Sequence, residues 1–232
     1  MYDHEHAAGD GLNTVLGGIA RTLQAEPDVE STLVAIVKAA VDHVPGTEHA
    51  GISLVEPGHR IRTVAPTSEV VSTIDELQYR TRQGPCLDAI TEHLIFRTGD
   101  LTAEQRWPAF TPAAAETGIR SMLSYRLFVS EHTLGALNLY ARARDAFSDQ
   151  ADDDGRLFAA HAAIALVGAQ TEARLHLAVE NRDTIGMAKG ILMHRHDIDD
   201  TQAFRLLFES SQTANMKLQL VAEWVIQHRR EL

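Results

Sequence analysis

The sequence has little of what secreted, membrane-spanning or metal-stabilised proteins contain. Cys86 is the one cysteine in 232 residues, so no disulfide can form within the chain and no CxxC zinc motif is present. The longest nearly apolar run covers residues 157–169 and is broken by His161, whereas a bilayer span needs about 20 residues. Residues 1–13 contain neither the basic nor the apolar part of a signal peptide. We therefore expect a cytoplasmic protein without a membrane partner.

Motifs of known catalytic sites are also missing. The sequence contains no GxSxG, Walker loop or HExxH motif, and no pair of carboxylates at a suggestive spacing. Its densest histidine cluster, residues 194–197, does not predict a metal site, because adjacent positions on a helix project to different faces. The sequence therefore predicts a protein that is not an enzyme and that carries no metal and no cofactor.

Acidic residues exceed basic ones, but unevenly along the chain. Residues 1–170 hold 13 Lys or Arg against 23 Asp or Glu, and residues 171–232 hold 8 against 9. The overall charge of −11 disfavours indiscriminate binding to nucleic acid. A nucleic-acid site would have to be a local basic patch in the last quarter of the chain.

The first part of the chain alternates helical and extended patterns. Helices are expected over residues 11–24, 29–41, 68–79 and 86–92. Strands are expected over residues 49–55, 61–65, 94–97, 121–129 and 133–140. Residues 100–118 read as an irregular stretch. These patterns predict an α+β domain in which helices flank a central antiparallel sheet.

A long helical pattern follows, from about residue 150 to residue 196. One position in seven along it is mostly apolar: Leu157, Ile164, Thr171, Ala178, Ile185 and Leu192. The companion positions of this heptad are mixed, so it predicts a weak coiled-coil seam. They are His161, Gly168, Leu175, Arg182 and Lys189. We expect a continuous helix that joins two domains, residues 11–170 and 171–232. The seam indicates either a homodimer or a helix packed on its own sheet.

The C-terminal part reads as three helices, of which the long helix is the first. Asp199-Asp200 is expected to cap the second helix, and Asn215 to be the N-cap of the third. Two short helices are not stable alone, so they must pack on the long helix. The expected core of this unit is Ile185, Leu192, Phe204, Leu207, Leu218, Val221 and Val225.

Two glycines within the long helix, Gly186 and Gly190, are the most unusual feature of the C-terminal part. Each costs roughly 1 kcal/mol of helix stability relative to alanine, so a compensating use is expected. They leave a strip of bare backbone, and Arg182, Lys189 and Arg195 project within a broad common sector around it. Such a surface suits a phosphate backbone or flipped-out bases. The alternative is a closely packed helix with ordinary surface cations.

Cys86 is a candidate redox-sensing residue in the first part of the chain. It follows Gly84-Pro85 at the start of a predicted helix. A thiol at a helix N-terminus can have a lowered pKa and react with oxidants. The alternative is that Cys86 is a small buried apolar residue.

Several motifs carry a resemblance to known families. Residues 181–193, NRDTIGMAKGILM, resemble the signature of ANTAR domains, which are RNA-binding modules of bacterial transcription antitermination regulators. Residues 203–207 and 215–218 match the same family in the same order, so the likeness spans about residues 171–232. Residues 11–170 resemble a GAF sensory domain, through the stretches at 83–89, 106–108 and 134–140.

The resemblance implies a partner and a site. ANTAR proteins bind RNA as homodimers, and each dimer engages two neighbouring stem-loops with hexanucleotide loops. The RNA-contact residues that it implies are Arg182, Ala188, Lys189, Gly190, Arg195 and Lys217. The motif of cyclic-nucleotide GAF domains is missing, which disfavours a cyclic nucleotide as the ligand. The sequence does not identify the small-molecule ligand of the GAF domain.

The sequence thus predicts a GAF-controlled, RNA-binding antitermination regulator. Two other classes stay open. A DNA-binding transcriptional regulator would also use a compact helical C-terminal domain. A small-molecule or redox sensor would use its C-terminal helices only to dimerise.

Overall fold

The computed structural model describes Leu23, residues 26–92 and residues 95–229. The helix expected over residues 11–24 therefore lies outside the described residues, except for Leu23, which is helical and buried. The chain divides into two compact units, Met1–Gln170 and Thr171–Leu232. No helix in the described ranges is long and apolar enough to cross a membrane.

A five-stranded antiparallel sheet forms the centre of the first unit, as the sequence predicts. Its strands are β1 (His49–Glu56), β2 (Arg60–Val64), β3 (Ile95–Thr98), β4 (Ser121–Val129) and β5 (His132–Ala141). Their order in the sheet is β2-β1-β5-β4-β3, and every neighbouring pair is antiparallel. The predicted α+β class is confirmed.

Helices flank the sheet and continue beyond it. They are α1 (Val29–His43), α2 (Glu69–Thr81), α3 (Pro85–Glu92), α4 (Thr111–Glu116), α5 (Asp149–His196), α6 (Asp200–Ala214) and α7 (Leu218–Gln227). The stretch expected to be irregular contains α4, a six-residue helix that begins beside Phe110 and is too short to show a period. The long helix is present as one element of 48 residues.

Both faces of the sheet are buried. Because side chains alternate across a strand, β5 sends Leu137 and Leu139 to one face, and Asn138 and Tyr140 to the other. On the first face they join a core cluster with residues of α1 and of the first half of α5. On the second face Tyr140 joins a cluster with residues of α2 and of the segment around Trp107.

Several positions of the predicted seam lie on the outward side of α5. Phe158, Ala162 and Leu166 are buried in the core of the first unit. Ile164 and Leu175 are exposed by 59% and 62%. The helix thus packs on its own sheet through other positions than the predicted seam, so the two interpretations of the heptad are compatible.

The second unit has a small apolar core, which the sequence identifies only in part. Its buried residues are Ala188, Leu192, Ala203, Leu207, Val221, Ala222 and Val225. Ile185 and Leu218 pack against this core as partly buried residues. The prediction for Phe204 is wrong, because its side chain is 43% exposed. The buried residues Ala203 and Leu207 lie one turn apart and define the inward face of α6, so the Phe204 side chain projects away from the core.

Of the two predicted helix caps, Asp199 is confirmed and Asn215 is wrong. Asp199 accepts a hydrogen bond from the Gln202 N–H at 2.8 Å, and the Gln202 side chain bonds back to the Asp199 N–H, which completes a capping box. Asn215 is not the N-cap of α7 but the C-cap of α6, with φ of 51° in the left-handed region. Asparagine tolerates that conformation better than most residues. The N-cap of α7 is Lys217.

Candidate nucleic-acid interface

An open groove of about 930 Å³ lies on the surface of the second unit, lined by α5 and by one residue of α6. Its lining residues are Ala178, Asn181, Arg182, Asp183, Ile185, Gly186, Met187, Lys189 and Phe204. The groove brings together Arg182, Gly186 and Lys189, three of the residues that the sequence singles out. Arg195, Lys217 and Gly190 lie outside its lining.

The two helix glycines are open to solvent. A methyl group placed on either Gly186 or Gly190 would meet nothing within 4 Å apart from the adjacent backbone of its own helix. Close packing against another described part of the chain therefore does not explain why glycine stands at these positions. The strip of bare backbone is a free surface of the described protein.

Lys189 lies at the edge of this strip and already has an ionic partner. Its Nζ is 2.5 Å from a carboxylate oxygen of Asp200 in the first turn of α6. The Lys189 side chain is 21% exposed, and the Asp200 side chain is much more exposed. Because the Asp200 carboxylate is mostly exposed to water, a polyanion that reaches the groove can compete with it for Lys189.

Ala188, which the resemblance implies as an RNA contact, lies in the core and not on the surface of the groove. Its side chain is fully buried among the core residues of the second unit. Neighbouring positions on a helix differ by about 100°. The Ala188 side chain therefore faces the core, whereas Lys189 lies at the side of the helix and Gly190 on its outer face. Ala188 therefore packs beneath the glycine strip as part of the core.

The two other cations that the sequence singles out, Arg195 and Lys217, are exposed on the second unit. The Arg195 guanidinium donates a hydrogen bond to the backbone carbonyl of Arg229 at 2.5 Å and is exposed. Lys217 is exposed at the start of α7. Neither residue lines the groove.

Sequence reasoning missed three groove residues, Phe204, Met187 and Asn181. Phe204 and Met187 are exposed although they are apolar, and the amide oxygen of Asn181 is buried without a hydrogen-bond partner among the described residues. A signal for Phe204 was present in the sequence. The apolar positions of α6, including both Phe204 and Phe208, are too numerous for one helix face to bury.

Cys86 lies in the first unit, at the start of α3 as expected, but not as a reactive thiol. It is fully buried, and its backbone N–H donates to the side chain of Gln78 at 2.9 Å. Burial, and then the nearby Asp75 carboxyl, raise the pKa of Cys86 to about 12. The thiol stays protonated at neutral pH, so the premise of a lowered pKa is wrong and the alternative of a small buried residue holds.

A buried polar cluster surrounds Asp75 between α2 and the sheet. Thr63 and Gln78 donate hydrogen bonds to its carboxylate at 2.8 and 3.1 Å, and the Tyr140 hydroxyl donates a short one. Burial raises the pKa of Asp75 to about 6, and these hydrogen bonds oppose the rise. Asp75 is therefore a carboxyl group that can change its charge near neutral pH inside the first unit.

The comparisons with known proteins agree with this architecture. Residues 26–167 match the model of the GAF domain, and residues 173–226 match the model of the ANTAR domain. No curated protein matches the chain.

Solved structures share the fold of the first unit at low sequence identity. The free methionine-R-sulfoxide reductase of Neisseria meningitidis is 15% identical with a TM-score of 0.56, over 69% of this chain and 91% of that one. The GAF domain of a phosphoenolpyruvate-protein phosphotransferase from Coxiella burnetii is 14% identical with a TM-score of 0.56, over 70% and 96%. The equivalent domain from Acinetobacter is 12% identical with a TM-score of 0.51, over 68% and 93%.

These likenesses show the fold of the first unit alone, whereas the matched domain models cover both parts of the chain. The chain belongs to the GAF domain family, and its GAF sensory domain is followed by an ANTAR domain, the RNA-binding module of antitermination regulators.

Proposed function

We propose that this protein is an antitermination regulator that binds paired RNA stem-loops with hexanucleotide loops through the groove on α5. The observation that carries the proposal is the open glycine strip beside Lys189 and Arg182. Two glycines weaken the helix, and no other described part of the chain packs against them to offset the loss. A surface that an RNA backbone must approach closely gives them a use.

The electrostatics of the groove suit a phosphate chain. Arg182 is exposed in the lining, and Lys189 is held by one exposed carboxylate. When RNA binds, a phosphate takes the place of Asp200, and the counterions of the RNA are released into solution. The affinity should therefore fall as the salt concentration rises, which is typical of phosphate contacts.

A homodimer would place two such grooves in one particle. The exposed heptad positions on α5, among them Ile164 and Leu175, form an apolar track that pairing of two α5 helices would bury. A dimer that holds two neighbouring stem-loops prevents an overlapping terminator hairpin from forming, so transcription continues. In this proposal the state of the GAF domain changes the pairing of the two helices, and the mixed companion positions permit more than one register.

The test is a binding assay on the full chain with paired hexaloop hairpins at a stated salt concentration. We expect Lys189→Ala to lower the affinity about tenfold or more, because each lost phosphate contact removes a charge-assisted interaction. Circular dichroism and the oligomeric state should not change, since Lys189 lies outside the apolar core.

Two competitors separate this function from its rivals. Hairpins with altered loops should compete poorly, and duplex DNA should compete no better than its charge predicts. Tight, sequence-dependent binding of duplex DNA would indicate a DNA-binding regulator instead. If no hairpin binds the parent protein, the proposal is refuted.

A further inference from the structure

The groove on α5 has one aromatic wall, and this wall suggests what part of the RNA enters it. We propose that the groove holds one unpaired purine base of the RNA loop, stacked on Phe204 and facing the amide of Asn181. This inference rests on the proposed function and names the group that the same site recognises.

The position of Phe204 carries the argument, more than its exposure does. Single exposed apolar side chains are common on protein surfaces and need no explanation. Phe204, however, lines the same groove as Gly186 and Lys189, and Met187 adds a second exposed apolar side chain to that lining. An aromatic ring beside a cation is the arrangement with which proteins hold unpaired bases, since the ring stacks on the base and the cation contacts its phosphate.

Asn181 supplies an unused hydrogen-bonding group in the lining. Its amide oxygen is buried and has no partner among the described residues. Buried polar atoms without a partner are uncommon, and an ordered water, an ion or a ligand group can supply the missing hydrogen bond. Turning the amide towards a base would break no hydrogen bond of that oxygen, and the amide could then accept from an exocyclic amino group.

The missing side chain of Gly186 leaves room for the base. Nothing outside its own stretch of helix lies within 4 Å of the place where a Cβ would be. A flat ring can therefore lie along the backbone at this position. A purine offers a larger stacking area than a pyrimidine, so the pocket should favour purines at one position of the loop.

The experiment uses the full chain and a paired hexaloop RNA in which 2-aminopurine replaces each loop base in turn. Stacking on Phe204 should quench the fluorescence of the probe at one loop position. Phe204→Leu, which keeps an apolar side chain but removes the ring, should lower the affinity about tenfold and abolish that quenching. Phe204→Tyr should restore both.

Phe208→Leu is the matched control. Phe208 lies one turn further along α6, is exposed like Phe204 and does not line the groove. We expect the Phe208→Leu variant to have the same RNA affinity and the same quenching pattern as the parent. Asn181→Ala should reduce the preference for a purine with an exocyclic amino group over the unsubstituted purine at the quenched position.

The outcomes separate this inference from the function on which it rests. If Phe204→Leu binds and quenches like the parent while Lys189→Ala is impaired, the stacked base is refuted and the RNA surface stands. An equal loss in Phe204→Leu and Phe208→Leu would also refute the stacked base. If neither Phe204→Leu nor Lys189→Ala changes the affinity, both proposals fail.

Discussion

Replacing the two open glycines of α5 with alanine separates stability from RNA binding. In a helix interior, Gly→Ala stabilises by about 0.4–1 kcal/mol when the added methyl group fits. At Gly186 and Gly190 the methyl groups meet nothing beyond their own helix within 4 Å. The double variant should therefore gain about 1–2 kcal/mol in the free energy of unfolding of the second unit.

The same substitutions should weaken RNA binding. Each methyl group stands where the proposed RNA backbone or base approaches the helix, and it keeps the ligand away from Lys189. We expect a loss of about tenfold for the double variant, equivalent to about 1.4 kcal/mol. A variant with a larger side chain, such as Gly186→Leu, should bind RNA more weakly still. A gain in stability with a loss of function is the usual sign of a residue kept for a site.

Two measurements on the full chain decide the matter. Hydrogen exchange of the amides in residues 180–195 reports the local stability of α5, and the hairpin assay reports the affinity. A stabilised double variant that binds RNA as tightly as the parent would refute the docking surface. A destabilised variant would show that the glycines pack against a partner, since no described residue blocks the methyl groups.

Two further predictions concern carboxylates. Asp200→Asn should raise the RNA affinity severalfold at low salt, because Lys189 loses its competing anion; an unchanged affinity would show that the ion pair is not broken on binding. Asp75 has a pKa raised to about 6 in the folded protein, so the fold holds this proton more tightly than the unfolded chain does and stability falls as the pH rises. Relative to Asp75→Asn, the free energy of unfolding of the parent should drop by about 2 kcal/mol between pH 4.5 and 7 in urea titrations. A difference that does not change with pH would contradict the buried ionisable carboxyl.

The sequence predicts the elements of this fold well where the period of apolar residues is unambiguous. The strands β4 and β5 and the long helix α5 have strong patterns and lie where they are expected. The prediction fails for Phe204 and Asn215, because each of these residue types is compatible with two different structural roles. An apolar residue beside a buried face can belong to the core or to a site. Asparagine is common both as an N-cap and in the left-handed position that ends a helix.

The candidate site was predictable in its location but not in its composition. The cost of two glycines in a helix and the nearby cations indicate the part of α5 on which the groove lies. The inward direction of Ala188 depends on where α6 and α7 pack, which the residues of the motif do not determine. The ion pair of Lys189 with Asp200 likewise depends on the capping turn that brings the start of α6 beside α5.

The heptad on α5 offers a route by which the proposed dimer would influence the RNA groove. Ile185 and Leu192 occupy seam positions in the sequence, but in the structure they belong to the core of the second unit. The free part of the seam must therefore end before Ile185. Its last two positions, Ala178 and Arg182, line the groove. A change of register between two α5 helices would then move Arg182 at the mouth of the groove without disturbing the apolar core.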